Sequence, residues 1–125
     1  MGKQPEGKVS TKIMDAWRKM GAWCYKVHGS EYQPTGIPDI SGVFMGHSVW
    51  CETKMPGNKP SMAQWKKIRD LRRVGALVIV SYTVADAVQM LEHIASGMHT
   101  GDDCGCLYLA PVDLREILRT KAYKD

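Results

Sequence analysis

Three residues with metal-binding and acid–base chemistry lie close together near the middle of the chain. Asp39 follows a Gly-Ile-Pro tripeptide, and Glu52 and Lys54 flank Thr53. Paired carboxylates are the hard oxygen ligands that Mg²⁺ takes together with waters and substrate phosphate. A bound divalent cation lowers the pKa of a water and neutralises charge on a phosphate under attack, and a lysine stabilises the same transition state. The set therefore indicates metal-assisted phosphodiester hydrolysis.

The same side chains also have a plainer interpretation. A lysine beside a carboxylate at the end of a hairpin forms a surface ion pair, which is common and contributes little energy. In the metal-binding interpretation, the backbone carbonyl of Thr53 would add a third oxygen ligand. Taken alone, an aspartate followed by Glu52-Thr53-Lys54 leaves both interpretations open.

A predicted β-hairpin positions these residues. Residues 39–45 and 48–54 have the composition of strands, and the Gly-His dipeptide between them suits a tight turn. Side chains two residues apart on a strand share a face. Pairing around this turn places Asp39 opposite Lys54 or its neighbours. The acids and the lysine are therefore expected to converge at the open end of the hairpin.

Helices and further strands are predicted on both sides of the hairpin. Apolar residues recur at helical spacing in three stretches, and two more apolar runs are typical of strands. The helices are expected over residues 9–20, 61–74 and 84–96, and the strands over 22–27, 39–45, 48–54 and 77–82. The order α-β-β-β-α-β-α, followed by a C-terminal extension, predicts a mixed central sheet flanked by helices.

Several short motifs follow one another along the chain in a specific order. They are Lys26-Val27-His28-Gly29, Gln33, Gly36-Ile37-Pro38-Asp39, Glu52-Thr53-Lys54 and, in the next helix, Gln64. This order resembles the VRR-NUC domains of the PD-(D/E)xK nuclease superfamily, which occur as stand-alone phage proteins and fused in eukaryotic repair nucleases. Glu6 stands where the family places a glutamate near the start of its first helix. The resemblance covers roughly residues 6–95.

The resemblance implies an α/β fold with a restriction-endonuclease-like core and a Mg²⁺- or Mn²⁺-dependent, structure-selective endodeoxyribonuclease. It assigns catalytic roles to Asp39, Glu52, Lys54, Glu6 and Gln64, and metal ligation to Asp39, Glu52, Thr53 and Glu6. The stand-alone family members resemble Holliday-junction resolvases and work as homodimers. Branched DNA and a second copy of the chain are therefore the expected partners, with no organic cofactor. The alternative function is a nucleic-acid-binding module of the same fold that does not cut.

Two of the implied site residues have other interpretations. Glu6 is also compatible with a solvated acid near the terminus, because the neighbouring Gly7 weakens a helix there. Gln64 lies three residues after Ser61, which is the spacing of a capping box. One glutamine side chain is expected to serve both the helix cap and the active site only if Ser61 finds another partner.

Positive charge is concentrated in the second predicted helix. The chain has 17 Lys+Arg and 13 Asp+Glu, hence a net charge of +4. The stretch over residues 61–74 alone contains five basic residues and one aspartate, a local balance of 5 − 1 = +4. A solvated helix face is the plain interpretation, and a track for DNA phosphates is the functional one. The predicted nucleic-acid-binding residues are Lys26, His28, Gln33, Lys59, Lys66 and Lys67.

Length and composition limit the number of domains and the expected location of the protein. A chain of 125 residues predicts one domain, with a motif-bearing core at about residues 6–96 and an extension over 97–125 whose role is open. No apolar run is long enough for a bilayer span, and the N-terminus lacks the apolar region of a signal peptide. A cytoplasmic protein without a membrane partner is expected, in the host cytoplasm if it comes from a phage.

The four cysteines favour a reducing compartment. Cys24 and Cys51 lie in apolar, strand-like stretches and are expected to be buried thiols. Cys104 and Cys106 are separated by a single glycine, which is closer than the spacing of ordinary zinc-binding pairs. A loop that carries two thiols is the expected structure there.

Overall fold

The computed structural model describes residues 5–29 and 32–97, without the side chains of residues 5 and 6. Its elements, in chain order, are α1 (Pro5–Lys19), β1 (Trp23–Lys26), β2 (Ile40–Phe44), β3 (His47–Thr53), α2 (Met62–Arg73), β4 (Leu77–Ser81) and α3 (Val84–Ala95). The predicted order α-β-β-β-α-β-α is confirmed. The extension over residues 97–125, apart from Gly97, lies outside the described residues, as do Cys104 and Cys106.

The four strands form one mixed sheet in the order β1-β2-β3-β4. β1 pairs antiparallel with β2, and β2 pairs antiparallel with β3. β3 and β4 are parallel, which requires a crossover between them, and α2 provides it. The mixed α/β sheet flanked by helices is therefore the architecture that the sequence predicts.

The β2–β3 hairpin turns one residue earlier than the sequence predicts. Met45 and Gly46 occupy the two central positions of the turn, with φ values of +49° and +82°. Positive φ at both central residues is typical of a type I′ hairpin turn. The β2–β3 register, extended by one step, places Asp39 opposite Glu52. The observed register is therefore shifted from the predicted one, while Asp39 contacts Thr53, the neighbour of Lys54, through the Thr53 backbone N–H.

The first helix starts earlier than predicted. α1 begins at Pro5, four residues before the expected start. Proline suits the first turn of a helix because its missing N–H would have no partner there in any case. Glu6 therefore belongs to α1, although its side chain is outside the described part of the chain.

α1 and α3 cover one face of the sheet with an extensive apolar core. Ile13 and Trp17 of α1 and Leu91 of α3 are fully buried, and they belong to one cluster with Val49 of β3. The indole N–H of Trp17 donates a 3.1 Å hydrogen bond to the backbone oxygen of Ala87. This bond fixes α1 against α3, so the N-terminal helix has a defined position against β1 and β3 of the sheet.

α2 lies on the opposite face and packs on its β3–β4 half. Trp65 and Ile68 are buried in a smaller cluster with residues of β4, and Trp50 of β3 packs against it. On the β1–β2 half of this face, Trp23 and Tyr25 are 66% and 46% exposed. The second face is thus only partly covered by the described residues.

The cysteines of the described segment are structural. Cys24 and Cys51 are free and buried, as predicted. Burial raises the pKa of the Cys51 thiol well above its ordinary value, and the nearby charge of Asp39 raises it further. A neutral thiol is a poor nucleophile, so Cys51 contributes packing rather than chemistry.

None of the helices in the described ranges combines the length and apolarity needed to cross a bilayer.

Candidate active site

Donors from three different elements hold Asp39 just before β2. One carboxylate oxygen, Oδ1, accepts a 2.9 Å hydrogen bond from the backbone N–H of Thr53. The other, Oδ2, lies 2.9 Å from Ser10 Oγ on α1 and 3.2 Å from Lys26 Nζ on β1. Contacts from α1, β1 and β3 therefore fix the orientation of this carboxylate.

Ser10 is a site residue that the sequence reasoning missed. It is only 1% exposed, and its Oγ lies 3.1 Å from Thr53 Oγ1 as well as near Asp39. A carboxylate only accepts hydrogen bonds, so the single hydroxyl hydrogen of Ser10 goes to Asp39 while its oxygen remains able to accept one from Thr53. The available signal was its place three residues before Ile13 and seven before Trp17, on the buried face of α1.

Glu52 is the more deeply buried of the two carboxylates. Its residue is 4% exposed, and Oε2 accepts a 2.9 Å hydrogen bond from Gln64 Nε2 on α2. Lys54 Nζ lies 3.5 Å from the same oxygen. A charge buried to this degree requires an ion pair and hydrogen bonds, so Gln64 and Lys54 make the buried Glu52 possible.

Gln64 caps α2 and contacts Glu52 with one side chain. Its Oε1 accepts from the Ser61 backbone N–H at 2.8 Å, and its backbone N–H donates to Ser61 Oγ at 3.2 Å. The amide nitrogen remains available for Glu52. The expectation that both roles require another partner for Ser61 is therefore wrong, because a primary amide has separate acceptor and donor ends.

The two carboxylates and Gln64 line one open cleft of about 400 Å³. The loop that leads into β2 forms another wall, and Gln33 belongs to it. Gly36, at φ +92°, lets this loop approach the first turn of α2, because an added Cβ would lie 2.5 Å from the backbone oxygen of Ala63. This close approach explains the glycine of the Gly-Ile-Pro-Asp motif.

The predicted nucleic-acid-binding residues fall into two groups. Lys26 pairs with Asp39 and Gln33 lines the cleft, so the structure brings both to the site. The remaining residues are exposed or half-buried on loops and α2: His28, Lys59, Lys66 and Lys67. Arg69 of the same basic helix pairs with Asp70 at 3.1 Å, which removes one positive charge from the predicted phosphate track.

The donor set fits a hard divalent cation. Asp39 and Glu52 supply two carboxylates to one cleft, and Mg²⁺ characteristically takes one or two carboxylates and keeps several waters. Among the side chains described, those of residues 7–29 and 32–97, no three His, Cys, Asp or Glu form a metal-binding group. Of these described residues, Asp39, Glu52 and backbone oxygen such as that of Thr53 are the ones that could hold a cation, together with water.

Comparison with solved structures identifies the fold. A structure described as "VRR_NUC domain" superimposes with a TM-score of 0.63 at 24% sequence identity, and the match covers 73% of this chain and 98% of that one. No protein-family profile matches the sequence, and no curated protein matches it. The chain thus has the fold of a VRR_NUC domain, which confirms the fold implied by its motifs.

Proposed function

We propose that this protein is a Mg²⁺- or Mn²⁺-dependent endodeoxyribonuclease that hydrolyses phosphodiester bonds. The observation that carries the proposal is the pair Asp39 and Glu52, which line one open cleft. A lysine contacts each of these acids. The fold of a VRR_NUC domain around this pair supports a nuclease over other reactions that use two carboxylates.

Each residue of the site has its own role in the proposed hydrolysis. Asp39 and Glu52 would hold the cation, together with the Thr53 carbonyl and Glu6. When bound, the cation would supply an activated water and neutralise charge on the phosphate. Lys54 places its ammonium beside Glu52, where it stabilises negative charge that develops on the phosphate. Gln64 holds Glu52 in position through its amide N–H.

The proposed substrate is branched DNA such as a Holliday junction. Contacts to phosphates by Lys26, Lys59, Lys66 and Lys67, with His28 and Gln33 at the cleft, would position the DNA without reading its sequence. Cutting two strands of a junction needs two sites, and each chain offers one cleft of this kind among its described residues. We therefore propose a homodimer. The buried free thiols of the chain are compatible with a cytoplasmic location. A phage origin stays a prediction.

A cleavage assay tests this function. Labelled four-way junction, flap and linear duplex DNA are incubated with the protein in Mg²⁺, in Mn²⁺ and in EDTA. We expect cleavage in either metal, preference for a branched substrate, and none in EDTA. No cleavage of any substrate in either metal, at protein excess, would refute the proposal.

Matched variants assign the site in the same assay. Glu52→Gln and Asp39→Asn keep the size of each side chain and are expected to abolish cleavage while junction binding persists. Glu92→Gln, a change of an exposed acid on α3, is the control and is expected to cut normally. Normal cleavage by either site variant would show that the assignment is wrong.

The second candidate is a nucleic-acid-binding module that does not cut. The lysine beside each carboxylate favours it, because Lys26 at Asp39 and Lys54 at Glu52 offset the negative charge of the two acids from within the chain. Junction binding by the wild type, without cleavage in either metal, would support this function.

A further inference from the structure

Both carboxylates in the cleft have a lysine beside them, but the two lysines are placed differently. Lys54 follows Glu52 by two residues, and its side chain is 16% exposed. Lys26 belongs to β1, comes 13 residues before Asp39 in the sequence, and is 31% exposed. The more exposed lysine thus reaches its acid from a neighbouring strand.

The three donors that contact the Asp39 carboxylate differ in how easily they can move away from it. Thr53 donates from its backbone, and Ser10 is buried, so both donors are fixed by the fold. Lys26 Nζ contacts Oδ2 from the end of a flexible stem. The backbone beside it is anchored, because the Val27 N–H donates to the Asp39 backbone oxygen at 2.8 Å. Rotation of one side chain is therefore enough to separate the ammonium from the carboxylate.

A divalent cation and the Lys26 ammonium compete for the same carboxylate. Two cations a few ångströms apart repel each other, and more strongly beside half-buried side chains than in bulk water. A cation bound at Asp39 thus favours departure of Lys26, whereas Ser10 and Thr53, which are neutral donors, can remain. Lys26 Nζ lies 3.2 Å from Asp39, which lines the cleft, so the released ammonium remains close to where a DNA phosphate would bind.

We propose that Lys26 is an exchangeable counter-ion that couples cation binding at Asp39 to phosphate binding in the cleft. The inference rests on the proposed metal site and DNA substrate. Without cation, Lys26 neutralises Asp39. When a cation binds Asp39, the Lys26 ammonium becomes available to a phosphate. When a phosphate binds Lys26, Asp39 loses its counter-ion and attracts the cation more strongly. Because coupling of binding free energies is reciprocal, each ligand raises the affinity for the other by the same factor.

Mn²⁺ binding without DNA tests the competition directly. Titration calorimetry compares the wild type with Lys26→Met, which keeps a long stem but removes the charge. We expect the variant to bind Mn²⁺ more tightly by about 5–150-fold, the usual range of coupling between two ligands. Lys26→Arg, which restores a cation, should return the affinity towards that of the wild type. Lys12→Met, an exposed lysine of α1, is the control and should leave it unchanged.

The reciprocal effect is measured with a labelled four-way junction whose backbone linkages resist hydrolysis. Mn²⁺ should tighten junction binding by the wild type and do so far less in Lys26→Met. Equal Mn²⁺ affinity in the wild type and Lys26→Met, or equal tightening in both, would overturn the inference. So would a wild type that binds no Mn²⁺.

These outcomes are separate from those of the cleavage assay. A wild type that cuts DNA while Lys26→Met shows unchanged Mn²⁺ affinity would refute the counter-ion and leave the endonuclease standing. A wild type that shows the Mn²⁺ competition but cuts no substrate would refute the endonuclease and keep the counter-ion.

Discussion

The two faces of the sheet differ in size and in openness. Among the described residues, fifteen buried apolar residues form the cluster beneath α1 and α3, whereas five form the cluster beneath α2. The larger cluster closes its face, and the smaller one leaves Trp23 and Tyr25 of β1 exposed. The first face therefore supplies most of the apolar burial, and the second supplies access.

Each face fixes one of the two carboxylates of the cleft. Asp39 is fixed through Ser10 of α1, so its position depends on the larger core. Glu52 is fixed through Gln64 of α2, so its position depends on the smaller one. The site therefore depends on a rigid core on one face of the sheet and on an opening on the other. A change that disturbs either face is expected to misplace one of the two acids.

Matched cavities in the two cores give the largest expected effect. Ile13→Ala on the α1 face should cost about 4 kcal/mol of unfolding free energy, and Ile68→Ala on the α2 face about 2 kcal/mol, within the 2–5 kcal/mol range of such truncations. Both isoleucines are buried, but the smaller cluster can relax towards its open side. Urea unfolding of the two variants measures the difference. Equal losses, or a larger loss for Ile68→Ala, would contradict the contrast between the faces.

Removal of the Ser10 hydroxyl tests how Asp39 depends on the larger face. Ser10→Ala should weaken Mn²⁺ binding by roughly 10–100-fold, the usual effect of losing a hydrogen bond to a metal ligand. Calorimetric titration measures the affinity. Thr11→Ala is the control, because that neighbouring, exposed hydroxyl donates to the backbone oxygen of Gly7 within α1. Equal affinities in the two variants would show that Ser10 does not position Asp39.

Gln64 allows the cap and the site on the smaller face to be separated. Gln64→Glu keeps an oxygen for the Ser61 N–H but removes the donor to Glu52 and adds a negative charge. We expect a clear fall in cleavage together with a loss of stability, because the buried Glu52 loses its donor and lies beside a second carboxylate. Gln64→Ala loses the cap as well and should be less stable by about 1 kcal/mol. Thermal unfolding and cleavage rates are measured on both. Normal cleavage by Gln64→Glu would refute the role of the amide at Glu52.

The sequence predicts the elements and the acids well, since both depend on local patterns. Helical spacing and the Ser61 cap locate α2, and the motifs bring Asp39 and Glu52 to one hairpin. The turn is misplaced by one residue because Met45 adopts a positive φ, a conformation that its residue type does not favour. The sequence therefore predicts the correct pair of strands but a shifted register between them.

Contacts between distant residues account for the rest of what the sequence does not reveal. Ser10 and Thr53 are 43 positions apart, so only the packing of α1 under the sheet brings them together. Lys26 carries the chemistry of a phosphate-binding residue, and nothing in its local sequence indicates the ion pair with Asp39. The dual role of Gln64 depends on the side-chain orientation, which capping-box spacing alone does not specify.

The central claim is that Asp39 and Glu52, one held from each face, bind a single cation together. A double-mutant cycle on Mn²⁺ affinity tests it with the wild type, Asp39→Asn, Glu52→Gln and the double variant. If both acids hold the same ion, each single change should remove most of the binding, and the double change should add little, because the effects of shared ligands are not additive. Independent losses that add, or a single variant that binds Mn²⁺ like the wild type, would contradict the claim.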